Sequence, residues 1–123
     1  MKQNQIIMTN KPEMSYTSEP ARGDGFYGFS DGLHTISFHV KNFTGKIFVE
    51  ATLVEEPTEN DWFLINLMID QKFIQWDNET EALGVSVIGN FVYVRVKVDR
   101  SYLVDQDYTV EKYGTVDKVV MMI

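Results

Sequence analysis

Leu83-Gly84-Val85-Ser86-Val87-Ile88-Gly89-Asn90-Phe91-Val92-Tyr93-Val94-Arg95-Val96-Lys97-Val98 is the stretch whose reading decides the fold. It reads as two strands joined by a two-residue turn at Gly89-Asn90. A glycine first suits a type II′ turn, and Gly-Asn also suits type I′, because both need positive φ there. If Ile88 faces Phe91, then Val87 faces Val92, Val85 faces Val94 and Leu83 faces Val96. Leu83, Val85 and Val87, with Val92, Val94, Val96 and Val98, share one face. Ser86, Tyr93, Arg95 and Lys97 share the other. A slip of one residue would set valines opposite charges, so the alternation predicts its own register.

Upstream, His34, Ile36, Phe38 and Val40 alternate with Thr35, Ser37 and His39. Lys41 to Gly45 reads as a turn, after which Ile47, Val49, Ala51 and Leu53 alternate with Lys46, Phe48, Glu50 and Thr52. These two runs predict a second hairpin. Trp62 to Ile69 is apolar except for Asn66, which predicts a buried strand. Asp70-Gln71 turns it into Lys72 to Trp76, and Asp77 to Glu81 reads as a polar connector. Tyr108 to Tyr113 alternates up to Gly114, and Val116 to Ile123 reads as a closing strand. Its apolar end must be paired in a sheet or covered by another chain, since exposed it would aggregate. About eight short strands separated by turn signals predict an all-β, antiparallel β-sandwich, with either jelly-roll or Ig-like Greek-key connections.

Residues 1–32 differ in pattern. They predict an extended N-terminal arm ending in a Gly/aromatic segment, ahead of a β-sandwich domain at 33–123. In Arg22 to Gly32, four glycines interleave with Phe26, Tyr27 and Phe29. Large rings on a permissive backbone seldom stay in water. They are expected to lie on the chain's own sheet or on a neighbouring subunit.

The totals narrow the function. A chain of 123 residues with 44% hydrophobic residues can bury one core. It has no cysteine, so disulfides and thiolate metal sites are excluded. A net charge of −7 argues against nucleic-acid binding, which needs clustered Lys and Arg, and fits a basic partner. No apolar run reaches the ~18 residues of a membrane helix, so no membrane partner is expected. The stretch after Met1 lacks the roughly 7–15 apolar residues of a signal peptide.

No catalytic constellation can be named, so no enzymatic activity and no cofactor are expected. His34 and His39 are five apart and point to opposite faces of a strand, which argues against a shared metal. Asp77, Glu79 and Glu81 lack the spacing and glycine of a calcium loop. Glu55, Glu56, Glu59 and Asp61 lie in one loop rather than on facing elements, so they read as solvated or as meeting a basic surface. Arg22-Gly23-Asp24 matches an adhesion tripeptide, but a turn explains it. Trp76 ends a strand beside a polar loop and is the residue expected to stack on a host glycan if the chain is a carbohydrate-binding module. Trp62 is expected in the core or an interface.

Gly25-Phe26-Tyr27-Gly28-Phe29-Ser30-Asp31-Gly32-Leu33-His34-Thr35-Ile36-Ser37-Phe38, then Phe43 to Leu53, Pro57 and Asp61-Trp62-Phe63, resemble small β-rich virion structural proteins of tailed, myovirus-type phages of marine bacteria. The likeness covers about a third of the chain, on motifs that read as structural. It implies a particle component, such as a capsid decoration, neck or baseplate-associated subunit. It also implies location in the virion after synthesis in the host cytoplasm, other virion proteins as partners, and homo-oligomers. In that setting Phe26, Tyr27, Phe29, Met121, Met122 and Ile123 are the expected assembly interface.

Overall fold

Leu33 to Thr52 forms one strand of 20 residues, not the hairpin expected there. The reason lies in Phe43. A hairpin tip would leave that ring in water, whereas here it is 0% exposed. Burying it contributes roughly 1.5–3 kcal/mol. The chain therefore runs on through a bulge. Buried positions fall at 34, 36, 38 and 40, then at 43, 45, 47, 49 and 51. One extra residue has shifted the phase, with Asn42 at φ 49° and the partner register slipping between Val40 and Phe43.

We describe a computed structural model covering residues 4–123. Its strands are β1 (Asn4–Met8), β2 (Tyr16–Thr17), β3 (Ala21–Arg22), β4 (Leu33–Thr52), β5 (Phe63–Leu64), β6 (Phe73–Ile88), β7 (Tyr93–Asp99) and β8 (Thr115–Met122). Two one-turn helices, α1 (Asp24–Tyr27) and α2 (Val110–Tyr113), sit in the connections. Strand makes up 53% of the described residues, and the antiparallel sheet curls into a half-barrel.

β4 organises everything. Along one side it pairs β6 from Leu33↔Ile88 to Phe48↔Phe73, then β5. Along the other side its first half pairs β8, and its second half pairs β7. β1 completes the first half beyond β8, while β2 and β3 complete the second beyond β7. Hydrogen bonding thus joins all eight strands in one sheet, where two packed sheets were expected. The concave side holds the core, with Ile36, Phe38, Ile47, Val49 and Val96 at 0% exposure.

The opening stretch therefore has the right alternation and a different partner. Val94, Val96 and Val98 are buried while Tyr93, Arg95 and Lys97 are not, and Val87 is buried while Ser86 and Ile88 are exposed. Yet β6 and β7 do not pair with each other. They pair on opposite sides of β4, β6 along Leu33 to Phe48 and β7 along Lys46 to Thr52, and Gly89 to Val92 crosses from the first residue of β4 to its last. The polar connector at 77–81 belongs to the interior of β6, outside the bend.

Residues 4–32 are woven into the sheet rather than extended from it; residues 1–3 of the expected arm lie outside the described residues. β1 shields β8, and β2 and β3 shield β7, burying Ile7, Met8, Tyr16 and Ala21. Of the expected strand at 62–69 only Phe63–Leu64 forms, and Ile69 projects with 93% exposure. Residues 110–113 form α2 instead of a strand, because the Thr109 hydroxyl caps it by accepting from the Lys112 N–H at 3.2 Å. The closing strand β8 is paired on both sides, by β1 and β4.

Candidate functional site

The Gly/aromatic segment lies on the connection between β6 and β7. Gly23 N–H donates to Val92 O at 2.9 Å and Gly25 N–H to Phe91 O at 2.8 Å. Only glycine allows that approach. A Cβ on Gly23 would stand 2.4 Å from Phe91 O, and one on Gly25 2.4 Å from Asn90 O.

A buried polar knot fixes the segment. Asp24 is 1% exposed and His34 0%. The Asp24 carboxylate accepts from Gly32 N–H at 2.7 Å and from the Asn90 amide at 3.3 Å. His34 Nε2 accepts the Asp24 N–H at 3.1 Å, so its proton is on Nδ1, which donates to Gly32 O at 2.9 Å. The adhesion-like tripeptide thus has its aspartate inside the protein, and that carboxylate serves the fold.

On this base stands a chain of rings. Phe26 meets Tyr27 edge-on at 5.4 Å, Tyr27 stacks on Phe29 at 5.5 Å, and Phe26 also meets Tyr93 at 5.8 Å. Arg22 sits 4.5 Å over Phe26. Tyr27 and Phe29 are half-buried against the core, while Phe26 is 40% exposed. Beside it opens a cleft of about 320 Å³ lined by Gly25, Phe26, Val92, Tyr93, Glu55 and Glu56. Aromatic walls and two carboxylates in one cleft suit a cationic side chain.

The remaining expected residues are placed differently. Met121 and Ile123 are core residues at 0% and 1% exposure, and only Met122, at 43%, faces outward. Trp76 is 1% exposed, with its ring against Phe38 and Phe43 and its Nε1–H donating to Glu81. It has no open face for a sugar. The physical reason is the β4 bend, whose hollow needs a large ring to fill it.

Two further constellations had little sequence signal. Arg100, 0% exposed, donates from Nε to Thr44 O at 2.7 Å, from Nη1 to Glu13 O at 3.1 Å and from Nη2 to Tyr113 O at 3.2 Å. Phe43, Tyr108 and Tyr113 surround its guanidinium. Burial pushes the Arg100 pKa down from its ordinary value, and burial pushes the Tyr16 phenol up. The tyrosines following Arg100 were the one hint that a cation sits among rings. Arg95 bridges Glu50 at 2.8 Å and Glu59 at 3.0 Å, and Trp62 stacks on it at 4.2 Å. The acidic loop is therefore partly neutralised within the chain.

Among the described residues, no cluster of three His, Asp or Glu is placed to hold a metal, and no helix is long and apolar enough to cross a membrane. No protein-family model matches the chain, and no curated protein matches it.

Proposed function

We propose that this chain is a non-enzymatic structural subunit of a phage particle, a capsid decoration, neck or baseplate-associated protein that works through protein–protein contacts. The observation that carries the reading is the Phe26–Tyr93 cleft: an exposed ring and two carboxylates held on a rigid, hydrogen-bonded base. It fits an arginine or lysine side chain of a neighbouring virion subunit, and the net charge of −7 favours such a partner. The likeness of residues 24–63 to small β-rich virion proteins supports the particle setting. Large exposed apolar residues elsewhere, Ile69, Ile88, Ile6 and Leu53, are what further subunit contacts and self-association would cover. In this reading the two halves of the curled sheet, which meet at Phe38 and Trp76, act as the two layers of a sandwich. Trp76, 1% exposed in the core, offers no ring face for a host glycan.

The test is co-sedimentation of the purified chain with phage particles assembled without it, using wild type and Phe26→Ser. Phe26 is the ring of choice because Tyr27 and Phe29 also support the core. Loss of co-sedimentation with an unchanged melting temperature is the expected result. Equal co-sedimentation of the variant removes the cleft from the interface. Failure of the wild type to bind any particle overturns the function.

A further inference from the structure

The C-terminal half of β6 is an open sheet edge with no protection. Among the described residues β6 pairs only with β4, β5 excluded from it by position. Gly89 N–H donates to Gly32 O, and the register Leu33↔Ile88 continues from there. In an antiparallel ladder, paired residues alternate between exchanging hydrogen bonds and not. His34–Val87 and Ile36–Val85 therefore exchange them. Ile88, Ser86 and Gly84 turn their N–H and C=O groups away from β4, toward the open side.

Natural edge strands are blunted by charge, proline or a bulge. Leu83 to Ile88 has none of these. The opposite rim is treated differently, since the Gln5 side chain of β1 donates to Arg22 O of β3 at 2.8 Å. A second observation concerns Gly84. It has no positive φ, and a Cβ there would meet nothing within 4 Å. Nothing inside the chain explains a glycine in the middle of this strand. A strand glycine with no internal reason marks a place where another backbone or side chain comes close.

We propose that two copies of this chain pair antiparallel along Gly84–Ile88, about a two-fold axis at Ser86, to make one sheet continuous across both. The segment is complementary to itself. With Ser86 facing Ser86, Ile88 of each copy faces Gly84 of the other. Ile88 is 78% exposed, and the open space over Gly84 receives it. Each of these facing pairs exchanges two N–H···O bonds, about six in all. Half-buried Val85 sets its side chain beside Val87 of the second copy. The paired segment itself carries no charge in a chain of net charge −7, so it sets no like charges directly opposite each other. This rests on the reading of the chain as an assembling subunit and names one of its partners as itself.

The test is sedimentation velocity of the full chain over a wide concentration range, with Gly84→Lys, Ser86→Pro and Ser86→Cys. Gly84→Lys meets nothing within the chain. Ser86→Pro removes an N–H that points away from β4, so both variants keep the fold. The wild type should show a species of twice the chain mass. Both substitutions should raise the dimer dissociation constant about tenfold or more. As the chain has no other cysteine, Ser86→Cys should give a covalent dimer on mild oxidation, because facing hydrogen-bonded residues sit about 5.5 Å apart at Cα. A dimer that persists in both substitutions and leaves Cys-substituted Ser86 unlinked overturns the edge pairing but not the subunit function. A wild type that stays monomeric at every concentration also overturns it, and particle co-sedimentation then decides the function separately.

Discussion

Replacing Arg100 by methionine should cost this protein more than any surface change. The guanidinium binds three backbone carbonyls, Thr44 O in the β4 bend, Glu13 O before β2 and Tyr113 O at the end of α2. Methionine fills much of the volume and donates nothing. Tyr113 O stays buried and Thr44 O and Glu13 O stay part-buried without that donor, at about 1–3 kcal/mol for each carbonyl cut off from water. Part of that is offset, because the burial cost of the charge disappears with it. Exchanging a buried ion pair for apolar groups can be neutral, but here the partners are main-chain oxygens that remain polar after the exchange. A net loss of about 3–6 kcal/mol follows. Unfolding entropy near 2.1 cal/mol/K per residue converts about 3 kcal/mol into a fall of roughly 12 °C in Tm for a chain of this length. Arg100→Lys keeps the charge but has one nitrogen for three separated acceptors, so it should fall between wild type and Arg100→Met. Calorimetry with the exposed Glu79→Ala as control measures this. A fall below about 4 °C for Arg100→Met, close to 1 kcal/mol, would refute the argument that Arg100 joins the three segments.

Two other outcomes follow from the site and its surroundings. Gly25→Ala would push a Cβ to 2.4 Å from Asn90 O, so it should destabilise by about 1–3 kcal/mol and weaken particle binding together, read by thermal melting and co-sedimentation. Unaltered melting would mean the segment is not held against the β6–β7 connection. The Arg95 guanidinium, by hydrogen bond and charge, holds the Glu59 carboxyl below the usual glutamate range. A depressed folded-state pKa gives stability above the unfolded value that is lost as pH falls through the folded one. The Tm gap between wild type and Glu59→Gln should thus exist at neutral pH and close under acid; a gap that widens on acidification contradicts the pairing.

The strand content and the inward faces were legible because a period of two survives whatever the strand pairs with. Val94, Val96 and Val98 point inward in both the expected hairpin and the observed sheet. Pairing partners were not legible, because two features resembled turns. Lys41 to Gly45 has turn residues at Asn42 and Gly45, and nothing local shows that Phe43 between them finds a pocket beside Trp76 and Arg100. Asp77 to Glu81 is polar because it lines the outside of a bend, a position with the composition of a loop. The Phe26, Tyr27 and Phe29 cluster was visible as composition, but its base was not. His34 and Asp24 are ten residues apart, and only the return of Asn90 brings their third partner. Arg100 was hidden for the same reason, since its acceptors are main-chain oxygens and any residue has those.

The bulge at Asn42 links the candidate site to the open edge. Had β4 turned into a hairpin at Lys41–Gly45, its second half would have lain beside its first, and β6 and β7 would have been left to pair with each other as their alternation suggests. That pairing would have used the N–H and C=O groups of Gly84, Ser86 and Ile88. Instead β4 continues through the bend and offers β7 a place along its second half. β7 moves there, the Gly89–Val92 connection must cross between the halves, and its backbone becomes the platform on which Gly23 and Gly25 set the aromatic cluster. The same move strips β6 of the partner its sequence is written for. A strand with hairpin-quality alternation and an unused hydrogen-bonding side is therefore the direct consequence of the bend that builds the site, and a second copy of the same strand is the partner whose pattern fits it.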